Sequence, residues 1–228
     1  PTFSYEVAVI LQDGLRRMYR EQEDVFYYLT LLNENYAHPA LPEGAEQDIL
    51  KGMYLLRKGP AGNGPRVQLL GSGAILREVI AAAELLKQDW GVEADLWSCP
   101  SFTQLARDGQ AVARLNLLRP TDEPRLSRVE QCLEDTRGPV IAATDYVRAF
   151  AEQIRPFVPR RYAVLGTDGF GRSDTREKLR SFFEVDRHYV AVAALKALAD
   201  EGQFDKAKVK EAIAKYGLDP NKPNPVTV

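Results

Sequence analysis

The amino-acid sequence predicts an α/β fold: a mostly parallel sheet with helices on both faces, preceded by a helix and a strand that belong to a separate unit. Two observations carry this. From about residue 52 onward, short apolar runs of strand length alternate with longer segments of helical period, the pattern of a sheet built from strand–helix units. Upstream, Asn33-Glu34-Asn35-Tyr36-Ala37-His38-Pro39 and Pro42 form a polar, proline-closed junction, which divides the chain into residues 1–42 and 43–228.

The elements follow in order. Phe3, Val7, Ile10, Leu11, Gly14, Leu15 and Met18 recur at helical spacing and predict an amphipathic helix over 4–21. The continuous apolar and aromatic run 25–32 suits a strand covered on both faces. Past the junction, Pro42-Glu43-Gly44-Ala45-Glu46 opens a short helix whose acids suit the positive end of its dipole. Residues 52–56 read as a short strand, and 59–65 are turn chemistry throughout. Strands at 67–70, 94–98, 139–143 and 162–165 then alternate with helices at about 74–89, 102–115, 125–134 and 147–154. Helices near 175–183, 187–201 and 205–216 complete the chain, and the proline-rich tail from Pro220 to Pro225 is loose.

Composition narrows the function. An apolar fraction of 45%, a charged fraction of 27% and a net charge of −2 are those of an ordinary globular protein, with no bulk affinity for nucleic acid or an anionic membrane. No run approaches the roughly 18 apolar residues of a membrane span. Pro1–Glu6 has neither the basic region nor the apolar stretch of a signal peptide. The missing initiator Met, and a helical pattern starting within a few residues of Pro1, suggest a piece of a longer chain; amino-terminal processing is the competing explanation. Cys99 and Cys132 lack CxxC spacing and read as free thiols in a reducing compartment. Two separated histidines, His38 and His188, are a poor supply for a metal site or proton transfer.

Two glycine turns are candidate anion sites. Gly71-Ser72-Gly73 joins a strand to a helix whose free amides could hold an anion, but position 76 is Leu where a dinucleotide fingerprint needs its third glycine. The acid expected about 20 residues on has only nominal candidates, Glu93 or Asp95, so a tight packed turn is the favoured reading. In Gly166-Thr167-Asp168-Gly169-Phe170-Gly171-Arg172-Ser173-Asp174, Arg172 could take a carboxylate or phosphate beside Ser173. A cap by Ser173 or Asp174, with Glu177 at capping-box distance, weighs more. Asp145 follows a strand and could act as a base, while Asp108 could pair with Arg107 or stay in water; neither has a His or Cys partner at motif spacing. Arg148, Arg155, Arg160 and Arg161 form a basic patch that a solvated helix end explains.

Several stretches, in order and over essentially the whole chain, resemble the carboxyl-terminal region of the homodimeric pyruvate dehydrogenase first component of bacteria, a transketolase-type enzyme. They are Leu31–Tyr36, Pro42–Glu46, Val67–Gly73, Ser101–Thr103 with Leu105–Gln110, Leu165–Asp174, Phe183–Asp186 and the ending Asn224-Pro225. The resemblance implies that residues 1–42 end the pyrimidine-binding middle domain and that 43–228 form a transketolase-like carboxyl-terminal domain serving assembly. It implies that the parent holds thiamine diphosphate and Mg²⁺ through stretches not present here, so that this piece binds no cofactor and catalyses nothing alone. The implied parent is cytoplasmic; it decarboxylates pyruvate and acetylates the lipoyl group of dihydrolipoyl acetyltransferase. The implied partners are the missing amino-terminal part, a homodimer mate and that acetyltransferase. By the same resemblance Asn33, Asn35 and Tyr36 line the edge of the substrate channel.

Overall fold

A computed structural model describes residues 1–228. Helix α1 (Ser4–Leu15) runs into a π-helical turn (Arg16–Arg20), and α2 (Glu46–Leu50) precedes strand β1 (Tyr54–Arg57). Strand β2 (Arg66–Gly71), a 3₁₀ turn, α3 (Leu76–Trp90), β3 (Glu93–Ser98) and α4 (Phe102–Leu118) follow. Next come α5 (Arg128–Leu133), β4 (Val140–Ala143), α6 (Arg148–Glu152), β5 (Tyr162–Leu165), α7 (Arg176–Phe182), α8 (Arg187–Asp200) and α9 (Lys206–Lys215).

The five strands form one sheet in the order β1-β3-β2-β4-β5, with β1 antiparallel to β3 and every other pairing parallel. Leu69 is in register with Leu96 on one side and Ile141 on the other. Successive strand residues point to opposite faces, so Val67 and Leu69 enter a core with α1, α3, α8 and α9, whereas Leu70 enters a second core with α4, α5 and α6. Helices therefore cover both faces, as the sequence pattern predicts. Fully burying each such aliphatic side chain contributes about 1.5–3 kcal/mol.

Local chemistry sets the helix ends. Ser127 Oγ accepts the Glu130 N–H at 3.3 Å and its own N–H donates to Glu130 Oε2 at 2.7 Å, so α5 starts at Arg128 rather than 125. Pro156, which lacks an N–H, falls in a separate 3₁₀ turn (Arg155–Phe157), so the helix expected over 147–154 stops at Glu152. Gly44 lies in a left-handed turn, and the acidic helix begins after it, at Glu46.

One predicted element is absent. Residues 25–32 form no strand, and Phe26 and Tyr28 are 88% and 84% exposed instead of buried. A strand is stable only beside hydrogen-bonding neighbours, and no strand of the sheet pairs with this run. The expected helix–strand remnant is thus a helix followed by an irregular segment.

Candidate functional site

The strand order reverses at β2, which has β3 on one side and β4 on the other, and in open α/β sheets that is where a ligand crevice opens at the carboxyl ends. The turn 71–73 and Thr144-Asp145 meet there. Ser72 Oγ donates to Thr144 Oγ1 at 2.8 Å, and the Ser72 N–H donates to the Ala143 carbonyl at 3.3 Å. A side chain at Gly71 would come within 2.8 Å of the Leu76 backbone, so this glycine serves close strand–helix packing. Gly73 has φ +53°, and a Cβ there would lie 3.3 Å from Asp145 Oδ1. That oxygen is buried without a hydrogen-bond partner. Burial pushes the Asp145 carboxyl above its ordinary range, against the pull of its own backbone N–H and of Arg180.

The chain's own amino-terminal segment covers this crevice. Thr2 Oγ1 donates to the Gly73 carbonyl at 2.7 Å. Glu6, fully buried, accepts the backbone N–H groups of Thr2 and Phe3, the Tyr54 hydroxyl at 2.7 Å and the Ser98 hydroxyl at 2.6 Å, tying α1 to β1 and β3. Sequence reasoning missed this anchor; its signal is a lone carboxylate on the apolar helix face of Phe3 and Ile10. Further along, the Tyr146 hydroxyl donates to Thr30 Oγ1.

The segment 33–38 is fixed from both sides. Asn33 Oδ1 accepts from Arg176 at 2.9 Å, and Asn35 is exposed. The Tyr36 hydroxyl donates to the Thr2 carbonyl, its ring stacks on His38 at 4.7 Å, and the Arg77 guanidinium lies 4.6 Å from its centroid. His38 Nδ1 accepts the Ser4 N–H at 3.0 Å, a role in the first turn of α1. Glu34, between the two asparagines, pairs with Arg77 at 2.7 Å and with Arg180, and Arg180 reaches Glu78 at 3.3 Å. Arg187 holds Glu78 from the other side at 2.8 Å. Burial pushes the Glu34 and Glu78 carboxyls up, but the arginines outweigh it and hold both below their ordinary range.

The remaining candidates are spread out. Arg172 stands over the Phe182 ring at 5.2 Å and Ser173 is exposed. The cap of α7 is Thr175, whose hydroxyl accepts the Lys178 N–H at 3.4 Å, rather than Ser173 or Asp174, because the helix begins at Arg176, two residues later than the first of those caps requires and one later than the second. Gly169, at φ +101°, sits against the Pro225 carbonyl, so the tail is docked on this loop instead of loose. Asp108 accepts the Arg128 N–H at 2.6 Å rather than pairing with Arg107. The four arginines separate: Arg148 pairs with Asp168, Arg155 with Glu152, Arg161 with Asp200 and Glu201, and Arg160 donates to the Glu134 carbonyl. Asp95, one of the two nominal fingerprint acids beside Glu93, is held by Arg66 at 2.6 Å and by Gln68 at 2.8 Å. Burial raises both free thiols, Cys132 to about 11 and Cys99 well above its ordinary value, which keeps them in the less nucleophilic thiol form.

Residues 52–186 match the family described as transketolase-like C-terminal domain, and residues 1–39 match the pyruvate dehydrogenase E1 component middle domain. Curated relatives named pyruvate dehydrogenase E1 component include that of Cupriavidus necator, 73% identical over all of this chain and 26% of the relative. That of Pseudomonas aeruginosa is 60% identical over 99% of this chain and 26% of the relative. That of Escherichia coli K12 is 56% identical over 99% and 25%. The chain spans about a quarter of the length of the curated relatives it matches.

Proposed function

We propose, from the premise that this chain belongs to the transketolase-like carboxyl-terminal domain family, that it is the structural and assembly region of a homodimeric pyruvate dehydrogenase first component. In this reading the whole enzyme works in the cytoplasm with thiamine diphosphate and Mg²⁺. It decarboxylates pyruvate and acetylates the lipoyl group of dihydrolipoyl acetyltransferase. Residues 1–42 close the middle domain, residues 43–228 form the carboxyl-terminal domain, and Asn33, Asn35 and Tyr36 edge the substrate channel.

When bound, thiamine diphosphate supplies the electron sink for such a decarboxylation. The residues here do not fit it. No three His, Cys, Asp or Glu side chains come together to hold a metal ion. At the switch point the group facing the glycine turn is a carboxylate, Asp145, which repels a diphosphate. The alternative is a self-standing module holding a small anion or regulator at Gly71–Gly73 or at the Gly166–Asp174 loop, and the same carboxylate opposes the first of these two sites.

The observation that carries the reading is the use of the crevice: where an α/β domain receives a ligand, this one receives its own residues 1–6, through Thr2 and Gly73. No helix is long and apolar enough to cross a membrane. Calorimetric titration of thiamine diphosphate with Mg²⁺ into the chain, with pyruvate-dependent CO₂ release assayed alongside, tests the proposal. The expected result is neither heat nor CO₂; saturable binding would contradict the assignment.

A further inference from the structure

Glu34 lies in a run without regular secondary structure, yet its side chain is only 15% exposed and three arginines from two helices converge on it. Arg77 comes from the first turn of α3, and Arg176 and Arg180 come from α7. Arg180 is the hub. Its side chain is 14% exposed, one end of its guanidinium is on Glu34 and the other is 3.3 Å from Glu78, itself 7% exposed. A planar guanidinium fork can bridge two carboxylates on different segments, which a lysine ammonium cannot do with the same geometry. Arg77 adds a second grip, pairing with Glu34 and covering the Tyr36 ring.

In an extended run alternate side chains point to opposite sides. Glu34 and Tyr36 are turned to Arg77 and Arg180, Asn35 is exposed, and Asn33, also exposed, has its Oδ1 on Arg176 at 2.9 Å. The preceding residues 25–32 are held differently: the Tyr27 hydroxyl donates to Asp13 and accepts from Arg17, Tyr146 reaches Thr30, and Phe26 and Tyr28 stand in solvent. The arginine clamp itself begins at Glu34, in the stretch assigned to the channel edge.

We infer that Arg180 is a positioning residue: acting through Glu34, it fixes Asn33–Tyr36 against the carboxyl-terminal domain, so that α7 and α3 aim the channel-edge asparagines at the substrate. The inference rests on the channel-edge reading above, and its test separates the two. In the full-length enzyme containing this chain, Arg180→Gln, Arg180→Lys, Glu34→Gln, the double variant R180Q/E34Q and Asn35→Ala are compared by hydrogen–deuterium exchange at residues 33–38 and by pyruvate kinetics. For R180Q, exchange at 33–38 rises about tenfold. Its KM for pyruvate rises about fivefold, with kcat within about twofold of the parent. Lysine restores part of both, and the double variant is no worse than R180Q, since both substitutions remove one interaction. Should R180Q fail to fold with its carboxylates stranded, the double variant, in which Glu78 keeps Arg187, carries the same comparison.

Unchanged exchange at 33–38 in a folded R180Q overturns the clamp. A raised KM in N35A beside an unchanged KM in R180Q overturns the positioning role and leaves the channel edge standing. Faster exchange with no change of KM in either variant overturns the channel-edge reading, and the positioning role with it.

Discussion

Residues 25–32 and strand β2 make an instructive pair. The first, Val25-Phe26-Tyr27-Tyr28-Leu29-Thr30-Leu31-Leu32, is the more apolar and aromatic; the second, Arg66-Val67-Gln68-Leu69-Leu70-Gly71, carries a charge and an amide. Only the second is a strand, and it is buried along its whole length. The difference is in neighbours. β2 lies between β3 and β4, and its polar side chains are satisfied by Asp95, with the Gln68 amide also accepting from the Trp97 indole at 2.9 Å. The earlier run has helix α1 and loops beside it but no strand edge, so Phe26 and Tyr28 remain in solvent while Tyr27 is half-buried and donates to Asp13 at 2.5 Å. Strand propensity is mostly a statement about fitting a half-buried pleated surface, and the surface has to exist.

The largest effect that sharpens this comparison is in the β2 core. Leu69→Ala removes a side chain that is 0% exposed, and destabilises the chain by about 2–5 kcal/mol in urea unfolding. Phe26→Ala, a larger deletion from the more apolar run, shifts the same transition by no more than about 0.5 kcal/mol. Equal losses at the two positions would break the comparison.

Next in size is the anchor of α1. Glu6→Ala leaves two backbone N–H groups and the Tyr54 and Ser98 hydroxyls without their acceptor, and costs about 1–3 kcal/mol in thermal unfolding. The loss appears first as faster hydrogen exchange at residues 1–10, because this acid joins the amino-terminal segment to the sheet.

The smallest is an acid effect. The Glu34 and Glu78 carboxyls titrate below their ordinary value of 4.5 in the folded chain, so below that value the unfolded chain binds more protons. The stability they contribute is fully present above the unfolded pKa and disappears as pH falls through the lower folded values. Melting temperatures taken between about pH 6 and 3 therefore fall less in Glu34→Gln than in the parent. An identical slope would show that Glu34 is not held by its arginines.

Much of the fold was legible because it is written locally. The apolar strand runs at 67–70 and 162–165 and the amphipathic helix at 74–89 emerge within a residue or two of their final bounds, since periodicity and flanking glycines report what a segment buries. The site was less legible. Gly71–Gly73 and Asp145 each stood out in the sequence as an isolated candidate, but that they face one another follows from the strand order β3-β2-β4, which a linear reading does not contain. The Glu34–Arg180 contact joins positions 146 residues apart, and the family resemblance singles out Asn33, Asn35 and Tyr36 while assigning nothing to the acid among them. The run 25–32 misled for the complementary reason: its pattern specifies a strand, and what decides the outcome is a sheet edge that these 228 residues do not present to it.

That last point is the most direct test of the account. Hydrogen–deuterium exchange at residues 25–32 is measured in the 228-residue chain and in the full-length enzyme that contains it. The account predicts near-unprotected exchange in the former and protection greater by about a thousandfold in the latter, on the proposal that residues 1–42 close a middle domain whose remainder supplies the missing strand edge. Equal exchange in the two proteins would contradict it.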